Sequence, residues 1–396
     1  MKTTEARQQK GSEYPMATSL SERPLKTVAN HGHGIFRSSI MELAVVFRSG
    51  PPYCVGDQWT VQGEPVPSLD GKRILVTGGS GFIGSHIIDL LLDESCQSIV
   101  ALDNFVRGRR DNLAGALGHA NFSLIEGDLR DRGLLRKLVG AADVVFHQAA
   151  LRITQCAAEP REAMETMVDA TFDLIDLCTK TRIEKVVVAS SASIYGDAEI
   201  FPTPERHHPY GDNTLYGTAK LFAEGILRAF ASMRGLNYVA LRYFNVYGPR
   251  MDIHGRYTEV LVRWMERIEA GLPPIIFGDG MQTMDFVDVR DVARANLLAA
   301  KTEVVDQVFN VGGGIETSLR ELAAELAAQM GRPGLVPEFQ SARKVNAVAR
   351  RCADTAKARA MLGFVPEVPL RDGLRNLIAW WRGARQATAQ APSVER

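Results

Sequence analysis

The stretch Arg73–Gly84 reads Arg-Ile-Leu-Val-Thr-Gly-Gly-Ser-Gly-Phe-Ile-Gly, and it decides the fold class of this chain. Residues 74–76 are apolar without alternation, which favours a central parallel strand that is buried on both faces. Gly78 and Gly81 follow, and an apolar helical pattern then runs over 82–92. A strand, a glycine turn and a helix N-terminus direct backbone N–H groups and the helix dipole at one point. This arrangement indicates a site for an anionic phosphate group.

A second candidate strand supports a more specific interpretation of the glycine turn. Residues 98–102 (Ser-Ile-Val-Ala-Leu) have the pattern of a strand, and Asp103 follows them. A carboxylate about 20 residues after such glycines accepts hydrogen bonds from the adenosine ribose hydroxyls of NAD. The same charge repels the 2′-phosphate of NADP. A flexible loop is the alternative interpretation of the glycines, but the combination favours a dinucleotide site and predicts NAD as the cofactor.

Composition excludes several classes of partner. The chain has 396 residues, of which 45% are hydrophobic, and its 46 basic and 46 acidic residues give a formal net charge of zero. This balance argues against binding to nucleic acid or to an anionic membrane surface. The five cysteines form no Cys-x-x-Cys pair, so we expect no metal site and a reducing, cytoplasmic location. No apolar run approaches the ~20 residues of a membrane helix.

From Gly71 onward, strand and helix patterns alternate, which predicts a doubly wound parallel sheet. Ligands of such sheets bind beyond the carboxyl ends of the strands, so the loops at those ends are expected to form one crevice. The candidate strands end at Thr77, Leu102, Glu126, His147 and Ser190, with helices near 82–93, 131–139 and 162–181.

Two further segments carry groups suited to proton transfer. The strand pattern near 186–190 leads into Ser191 and Ser193, and a helix pattern opens with Tyr216 and Lys220. The tyrosine and the lysine, four residues apart, share one helical face. A neighbouring ammonium ion favours the phenolate, so we expect a tyrosine pKa lowered from ~10 toward neutrality. That is what a tyrosine base requires.

Together these motifs resemble the extended short-chain dehydrogenase/reductase family, specifically its NAD-dependent nucleotide-sugar epimerases and dehydratases, such as the UDP-glucose 4-epimerases. The resemblance extends over roughly 72–382. The matching segments are Thr77–Gly84, Asp103-Asn104, Gly127–Leu129, Ser190–Gly196, Tyr216–Lys220, Leu241–Arg250 and Gly278–Phe286.

The resemblance implies a division of the chain into four parts. Residues 71–245 are expected to form an NAD-binding Rossmann domain with a doubly wound parallel sheet. Residues 246–385 are expected to form mainly a smaller substrate-binding lobe, with one return to the sheet. Residues 1–70, which are rich in proline and lack periodicity, are expected to be a disordered extension, and 386–396 a flexible tail.

The resemblance also implies a role for each matching residue. Tyr216 would be the acid/base, Ser191 would hold and relay the hydroxyl proton, and Lys220 would bind ribose and bias the phenol. A nucleotide sugar would contact Arg152, Ser193, Asn245 and Arg350. A homodimer is expected, formed by the helix that Tyr216 opens and the helix near 162–181. NAD would contact Gly78, Gly81, Phe82, Ile83, Gly84, Asp103, Asn104, Gly108, Asp128, Leu129, Gln148, Ala149, Ala150, Tyr216, Lys220, Tyr243 and Phe244.

Departures from the family pattern bear on the substrate and on the reaction. Met284 replaces an arginine that grips phosphate in the family, and Lys344–Ala347 replaces Arg-Pro-Gly-Asp, so that Arg350 or Arg351 would supply the missing charge. Related dehydratases and decarboxylases carry a carboxylate just after the catalytic hydroxyl, where this chain has Ala192 and Ser193.

We therefore expect an epimerase, acting at sugar C4 in the manner of UDP-glucose/UDP-galactose conversion. A dehydratase or decarboxylase of the same family is the first alternative, because it shares the oxidation step. A non-catalytic NAD-binding scaffold is the second alternative. It is disfavoured because both Tyr216 and Lys220 are present.

Overall fold

The computed structural model describes residues 68–253, 260–341 and 348–390. Nearly all of the predicted extension 1–70 and the segment Lys344–Ala347 lie outside these ranges. The largest element is a seven-stranded sheet. Its strands are β1 (Arg73–Thr77), β2 (Ser98–Asp103), β3 (Phe122–Glu126), β4 (Val144–His147), β5 (Lys185–Ser191), β6 (Tyr238–Tyr243) and β10 (Gln307–Val311).

The order of the strands confirms the predicted fold class. It runs β10–β6–β5–β4–β1–β2–β3, and every neighbouring pair is parallel. Strand β1 lies between β2 and β4, with Val76 beside Ala101 and Phe146. The order reverses direction at β1 and β4, and this is the point where doubly wound sheets bind their ligands.

Helices cover both faces of this sheet. Ile74 and Val76 point into one apolar layer and Leu75 into the other, as alternation along a strand requires. The predicted helix near 162–181 is divided by a π-helical turn at Glu165–Asp169. The flanking helices are α1 (Phe82–Leu92), α2 (Arg132–Gly140), α3 (Ile153–Ala158), α4 (Pro160–Met164), α5 (Ala170–Cys178), α6 (Leu215–Arg234), α8 (Val289–Ala300) and α10 (Ala356–Leu362).

A second group of elements follows β6 and has its own core. Trp264, Leu322 and Trp381 are buried together in this core. Helix α11 extends five residues past the predicted boundary at 385. The elements are β7 (Asn245–Tyr247), β8 (Ile275–Phe277), β9 (Thr283–Asp288), β11 (Glu316–Ser318), β12 (Glu338–Gln340), α7 (Val260–Glu269), α9 (Leu319–Gln329) and α11 (Leu370–Gln390).

The two longest helices of the described residues are α6, with 20 residues, and α11, with 21. Either would be long enough to cross the hydrocarbon core of a bilayer. Both carry charged side chains along their length, among them Lys220 and Glu224 in α6. Within the described ranges, no helix combines the length and the apolar character of a membrane span.

The turn between β1 and α1 depends on the absence of a side chain at Gly84. A Cβ there would overlap the carbonyl oxygen of Gly78. We predict that Gly84→Ala lowers the free energy of unfolding by about 2 kcal/mol or more, because the crowded atoms belong to the backbone. Chemical denaturation measures this change. Gly383→Ala in α11 is the control, since a Cβ there meets nothing within 4 Å. A loss no larger for Gly84→Ala than for the control would contradict the close approach.

Candidate active site

The carboxyl ends of the parallel strands open into a cavity of about 940 Å³. All residues predicted for catalysis, NAD and substrate line this cavity, except Arg350. The cavity continues past β6 to β8 and α7 of the second group of elements. The sequence motifs, which are spread over more than 150 residues, thus converge on one space, as the parallel topology requires.

The glycine turn forms one end of the cavity. Gly78 has φ +68°, and a Cβ there would lie 2.7 Å from the backbone nitrogen of Ala149. Gly81 is the N-cap of α1 and provides no side-chain cap for the first N–H groups of the helix. Those N–H groups, together with the helix dipole, suit an anionic group. The turn therefore fits the pyrophosphate of a dinucleotide.

Asp103 is fixed beside this turn. Its carboxylate accepts hydrogen bonds from the backbone N–H groups of Ser80 at 3.0 Å and Phe105 at 2.9 Å. A Cβ on Gly108 would lie 2.7 Å from the same carboxylate, so a larger residue there would displace Asp103. Asp103 is buried but lines the cavity. A negative charge is thereby held where the predicted ribose hydroxyls would lie.

The adenine side of the predicted cofactor site is ordered by a second carboxylate. Asp128 accepts a hydrogen bond from the Asn104 side chain at 3.0 Å and two from the Arg130 guanidinium. The hydrogen bonds from Arg130 hold the pKa of Asp128 well below its ordinary value. Asn104 and Asp128, both predicted cofactor residues, are thus brought together by contact.

The three predicted catalytic residues line the same cavity as the glycine turn. Helix α6 begins where the side chain of Thr214 accepts a hydrogen bond from the N–H of Gly217, which places Tyr216 in the first turn. Tyr216 lies close enough to Ser191, at the end of β5, for the Ser191 side chain to lower its pKa. Lys220 donates to the carbonyl oxygen of Ala189 at 2.7 Å, and its Nζ lies 5.9 Å from the Tyr216 ring centroid.

The pKa of Tyr216 differs in direction from the prediction. Burial raises it above the ordinary value, and the nearby Ser191 side chain with the charges of Arg107 and Arg351 opposes this only partly. The side chain packs in an apolar cluster that includes Cys156 and Met167. Burial also lowers the pKa of Lys220 to about 8. The sequence shows that an ammonium ion neighbours the phenol, but it does not show that Tyr216 and Lys220 both lose solvent, which destabilises their charged forms.

Two polar networks beneath the site were not predicted. The hydroxyl of Tyr243 forms hydrogen bonds of 3.0 Å with the side chains of Gln148 and Asn296. These bonds fix the orientation of all three side chains. Asn296 is fully buried in α8. No sequence signal pointed to it, because a single asparagine in a helix has no distinctive pattern.

The second network fixes α6 against the sheet. Glu224 accepts two hydrogen bonds from Arg242, at 2.9 and 2.6 Å, and one from the hydroxyl of Ser190. Arg242 also donates to the hydroxyl of Tyr195 at 2.8 Å. Glu224 follows Lys220 by four residues, so the helical spacing that identified Tyr216 and Lys220 could have found it.

On the substrate side, the structure corrects the predicted role of Arg350. Its guanidinium forms a bidentate ion pair with Glu316 at 2.6 and 2.8 Å, and it lies outside the cavity. Arg351 is the cavity residue instead. Neighbouring side chains of an extended segment point to opposite faces, so only one of two adjacent arginines can enter the site.

Other predicted substrate residues lie in the cavity. Asn245 begins β7, and its buried Oδ1 has no hydrogen-bond partner among the described residues. Arg152 is the N-cap residue of α3, and Ser193 donates its backbone N–H to Ser191 Oγ at 3.1 Å. Across the described ranges, no cluster of three or more histidine, cysteine or carboxylate groups suits a metal ion.

Comparison with known proteins agrees with this geometry. The family model for the NAD dependent epimerase/dehydratase family matches residues 74–312. The chain belongs to this family. It is 34% identical over 317 residues to the UDP-glucose 4-epimerase of Mycolicibacterium smegmatis, which covers 79% of this chain and 100% of that protein.

Two further relatives show the range of the family. The chain is 30% identical over 318 residues to UDP-glucuronic acid decarboxylase 1 of Xenopus tropicalis, covering 79% of this chain and 73% of the relative. The crystal structure of UDP-glucose 4-epimerase with UDP-glucose from Thermotoga maritima superimposes with a TM-score of 0.73 at 34% identity, covering 79% and 99%. The epimerase/dehydratase family thus includes more than one reaction on nucleotide sugars.

Membership in the epimerase/dehydratase family confirms NAD as the cofactor. The residues present fit this cofactor. The turn at Gly78 and Gly84 has no room for side chains, and Asp103 is fixed beside it.

We predict that Asp103 sets the preference for NAD over NADP. Asp103→Ala removes the charge that repels the 2′-phosphate, so the ratio of NADP to NAD dissociation constants should fall by more than ~10-fold. Calorimetric titration with each dinucleotide measures it. Asp111→Ala is the control, because Asp111 is exposed and outside the cavity. Equal affinity of the parent protein for both dinucleotides would contradict the role of Asp103.

Proposed function

We propose that this protein is an NAD-dependent nucleotide-sugar epimerase acting at C4, the type of reaction that interconverts the gluco and galacto configurations of a UDP-sugar. The observation that carries the proposal is that Ser191, Tyr216 and Lys220 line the same cavity as the glycine turn. Residues 71–245 would hold NAD, and 246–385 would bind mainly the nucleotide sugar.

NAD, which the turn at Gly78 and Gly84 and the carboxylate of Asp103 would hold, would supply reversible hydride transfer at the sugar ring carbon. Tyr216 would take the hydroxyl proton during oxidation and return it during reduction. Ser191 would orient that hydroxyl and relay the proton through its contact with the phenol. Lys220, held by the carbonyl of Ala189, would bind ribose and favour the phenolate. Burial of the phenol keeps bulk water away from the reacting atoms.

The residues after Ser191 support epimerisation over elimination or decarboxylation. Ala192 is buried and Ser193 uses its N–H to contact Ser191. Neither supplies the carboxyl group that loss of water would need as an additional acid/base. A dehydratase or decarboxylase remains the alternative within the family, and product masses distinguish it. Epimerisation retains the mass, whereas the alternatives lose water or carbon dioxide.

We further propose a cytoplasmic homodimer. The described cysteines, Cys96, Cys156, Cys178 and Cys352, are free and buried, as suits a reducing compartment. Helices α5 and α6 present Phe172 and Phe222 at the surface, 38% and 36% exposed. Phe230 of α6 is buried and packs against Phe172 inside the protomer. An apolar face of two helices suits an isologous contact.

We predict that Tyr216→Phe lowers turnover by ~10² or more, because the ring is kept and the ionisable oxygen is lost. Ser191→Ala should lower turnover less, and Lys220→Met should lower both turnover and NAD affinity. Steady-state rates with nucleotide sugars, with products identified by mass and NMR, measure this. Tyr210→Phe is the matched control, since Tyr210 is 88% exposed. Near-parental turnover of Tyr216→Phe would refute the acid/base assignment.

The dimer has its own prediction. Phe222→Asp should convert a dimer into a monomer, because a carboxylate would be buried without a partner at an apolar interface. Light scattering at micromolar concentration measures the mass. Met281→Asp, at an exposed position far from α6 in the sequence, should leave the mass unchanged. A parent protein that is already monomeric would exclude the proposed assembly.

A further inference from the structure

The segment that carries Arg350 and Arg351 is held rigidly along β9. The N–H of Thr283 bonds with the carbonyl of Ala349 at 3.0 Å, and the N–H of Arg351 bonds with the carbonyl of Thr283 at 2.9 Å. Two residues later, the buried carboxylate of Asp285 accepts the N–H of Ala353 at 2.8 Å. The position of Arg351 in the cavity is therefore fixed by backbone contacts and not by its own side chain.

Arg351 has no counter-ion in the part of the chain that the structure describes. No carboxylate lies within 4.0 Å of its guanidinium, and the side chain makes no hydrogen bond there. The nearby carboxylate of Asp212 is engaged by the side chains of Thr214 and Thr218 at 2.9 and 3.2 Å. Burial lowers the pKa of Arg351 to about 10, so it remains charged at neutral pH. A half-buried cation without a partner is costly, which suits a site that receives an anion.

The location of Arg351 indicates which part of a ligand it would meet. It lines the same cavity as Ser191 and Tyr216, and its charge and Tyr216 affect each other's pKa. The segment that carries Arg350 and Arg351 also contacts the loop after Ser193, since the N–H of Thr203 donates to the carbonyl of Cys352 at 2.8 Å. Arg351 therefore lines the cavity within electrostatic range of Tyr216, the residue that would act at the reacting carbon of the sugar.

We propose that Arg351 binds a carboxylate carried by the sugar, so that the substrate is a nucleotide-linked uronic acid. The proposal rests on the proposed function. The planar guanidinium pairs with a carboxylate through two parallel hydrogen bonds, which fixes orientation as well as charge. A C6 carboxylate is two bonds from C4, so Arg351 would hold one end of the ring while Tyr216 handles the proton at C4. The gluco and galacto uronic acids differ at C4, as the neutral sugars do.

The test compares the affinities of three probes for the full-length protein loaded with NAD. Dissociation constants for UDP-glucuronate, UDP-glucose and UDP are measured by calorimetry for the parent, Arg351→Met and Arg351→Lys. The parent should bind UDP-glucuronate best. Arg351→Met should raise the dissociation constant for UDP-glucuronate about 10- to 100-fold and those for UDP-glucose and UDP less than about twofold. For Arg351→Lys the dissociation constant for UDP-glucuronate should lie between those of the parent and Arg351→Met, because lysine keeps the charge but cannot form two parallel hydrogen bonds with a carboxylate.

Arg350→Met is the matched control, since its neighbouring guanidinium pairs with Glu316 outside the cavity. Arg350→Met should leave all three dissociation constants within about twofold of the parent values. Thermal unfolding verifies that each variant is folded. Equal losses for all three probes in Arg351→Met would assign Arg351 to the diphosphate and overturn the proposal. Unchanged affinities would overturn it as well.

Product analysis separates this proposal from the epimerase itself. A parent that epimerises UDP-glucose and shows no preference for UDP-glucuronate keeps the proposed function and overturns the role of Arg351. A parent that binds UDP-glucuronate through Arg351 but releases a lighter product keeps the role of Arg351 and overturns epimerisation.

Discussion

The buried contact between α6 and the ends of β5 and β6 is the constraint on which the site depends. Glu224 and Arg242 are nearly inaccessible, and they share a bidentate ion pair. Removing one partner of such a pair leaves an uncompensated charge and costs about 3–5 kcal/mol. Only one register of the helix on the sheet satisfies both groups. That register sets where the residues one and two turns earlier in α6 lie.

The same contact positions cavity residues on β5 and β6 as well as on α6, because each anchoring residue of a strand is followed directly by a cavity residue. Ser190 bonds with Glu224, and its neighbour Ser191 contacts Tyr216. Arg242 pairs with Glu224, and its neighbour Tyr243 lines the cavity. A polar group that anchors the helix therefore stands beside a cavity residue on each strand. Glu224 and Arg242, which form the anchoring ion pair, do not line the cavity, so the position of α6 does not depend on cavity residues alone.

The redox half of the site was predictable from sequence because backbone geometry restricts residue type there. Glycine is the only residue that fits at Gly84 beside the backbone carbonyl of Gly78, and at Gly78 beside the backbone nitrogen of Ala149. Strand ends in parallel sheets must meet at one edge, which places Asp103 and Ser191 in one cavity. Each of these requirements leaves a signature in a short stretch of sequence, so the fold class and the lining residues could both be predicted.

The remaining errors came from quantities that no short stretch contains. The pKa of Tyr216 depends on how fully its ring is buried, and this is set by packing against Cys156 and Met167 from other helices. The exchange of Arg350 for Arg351 depends on the register of one extended segment against Thr283. A shift of one residue reverses which side chain enters the cavity. That register decides which arginine lines the cavity, whereas the turn after β1 is decided by glycine. It follows that relatives can share the cofactor site and still differ in the charge that they present to the sugar.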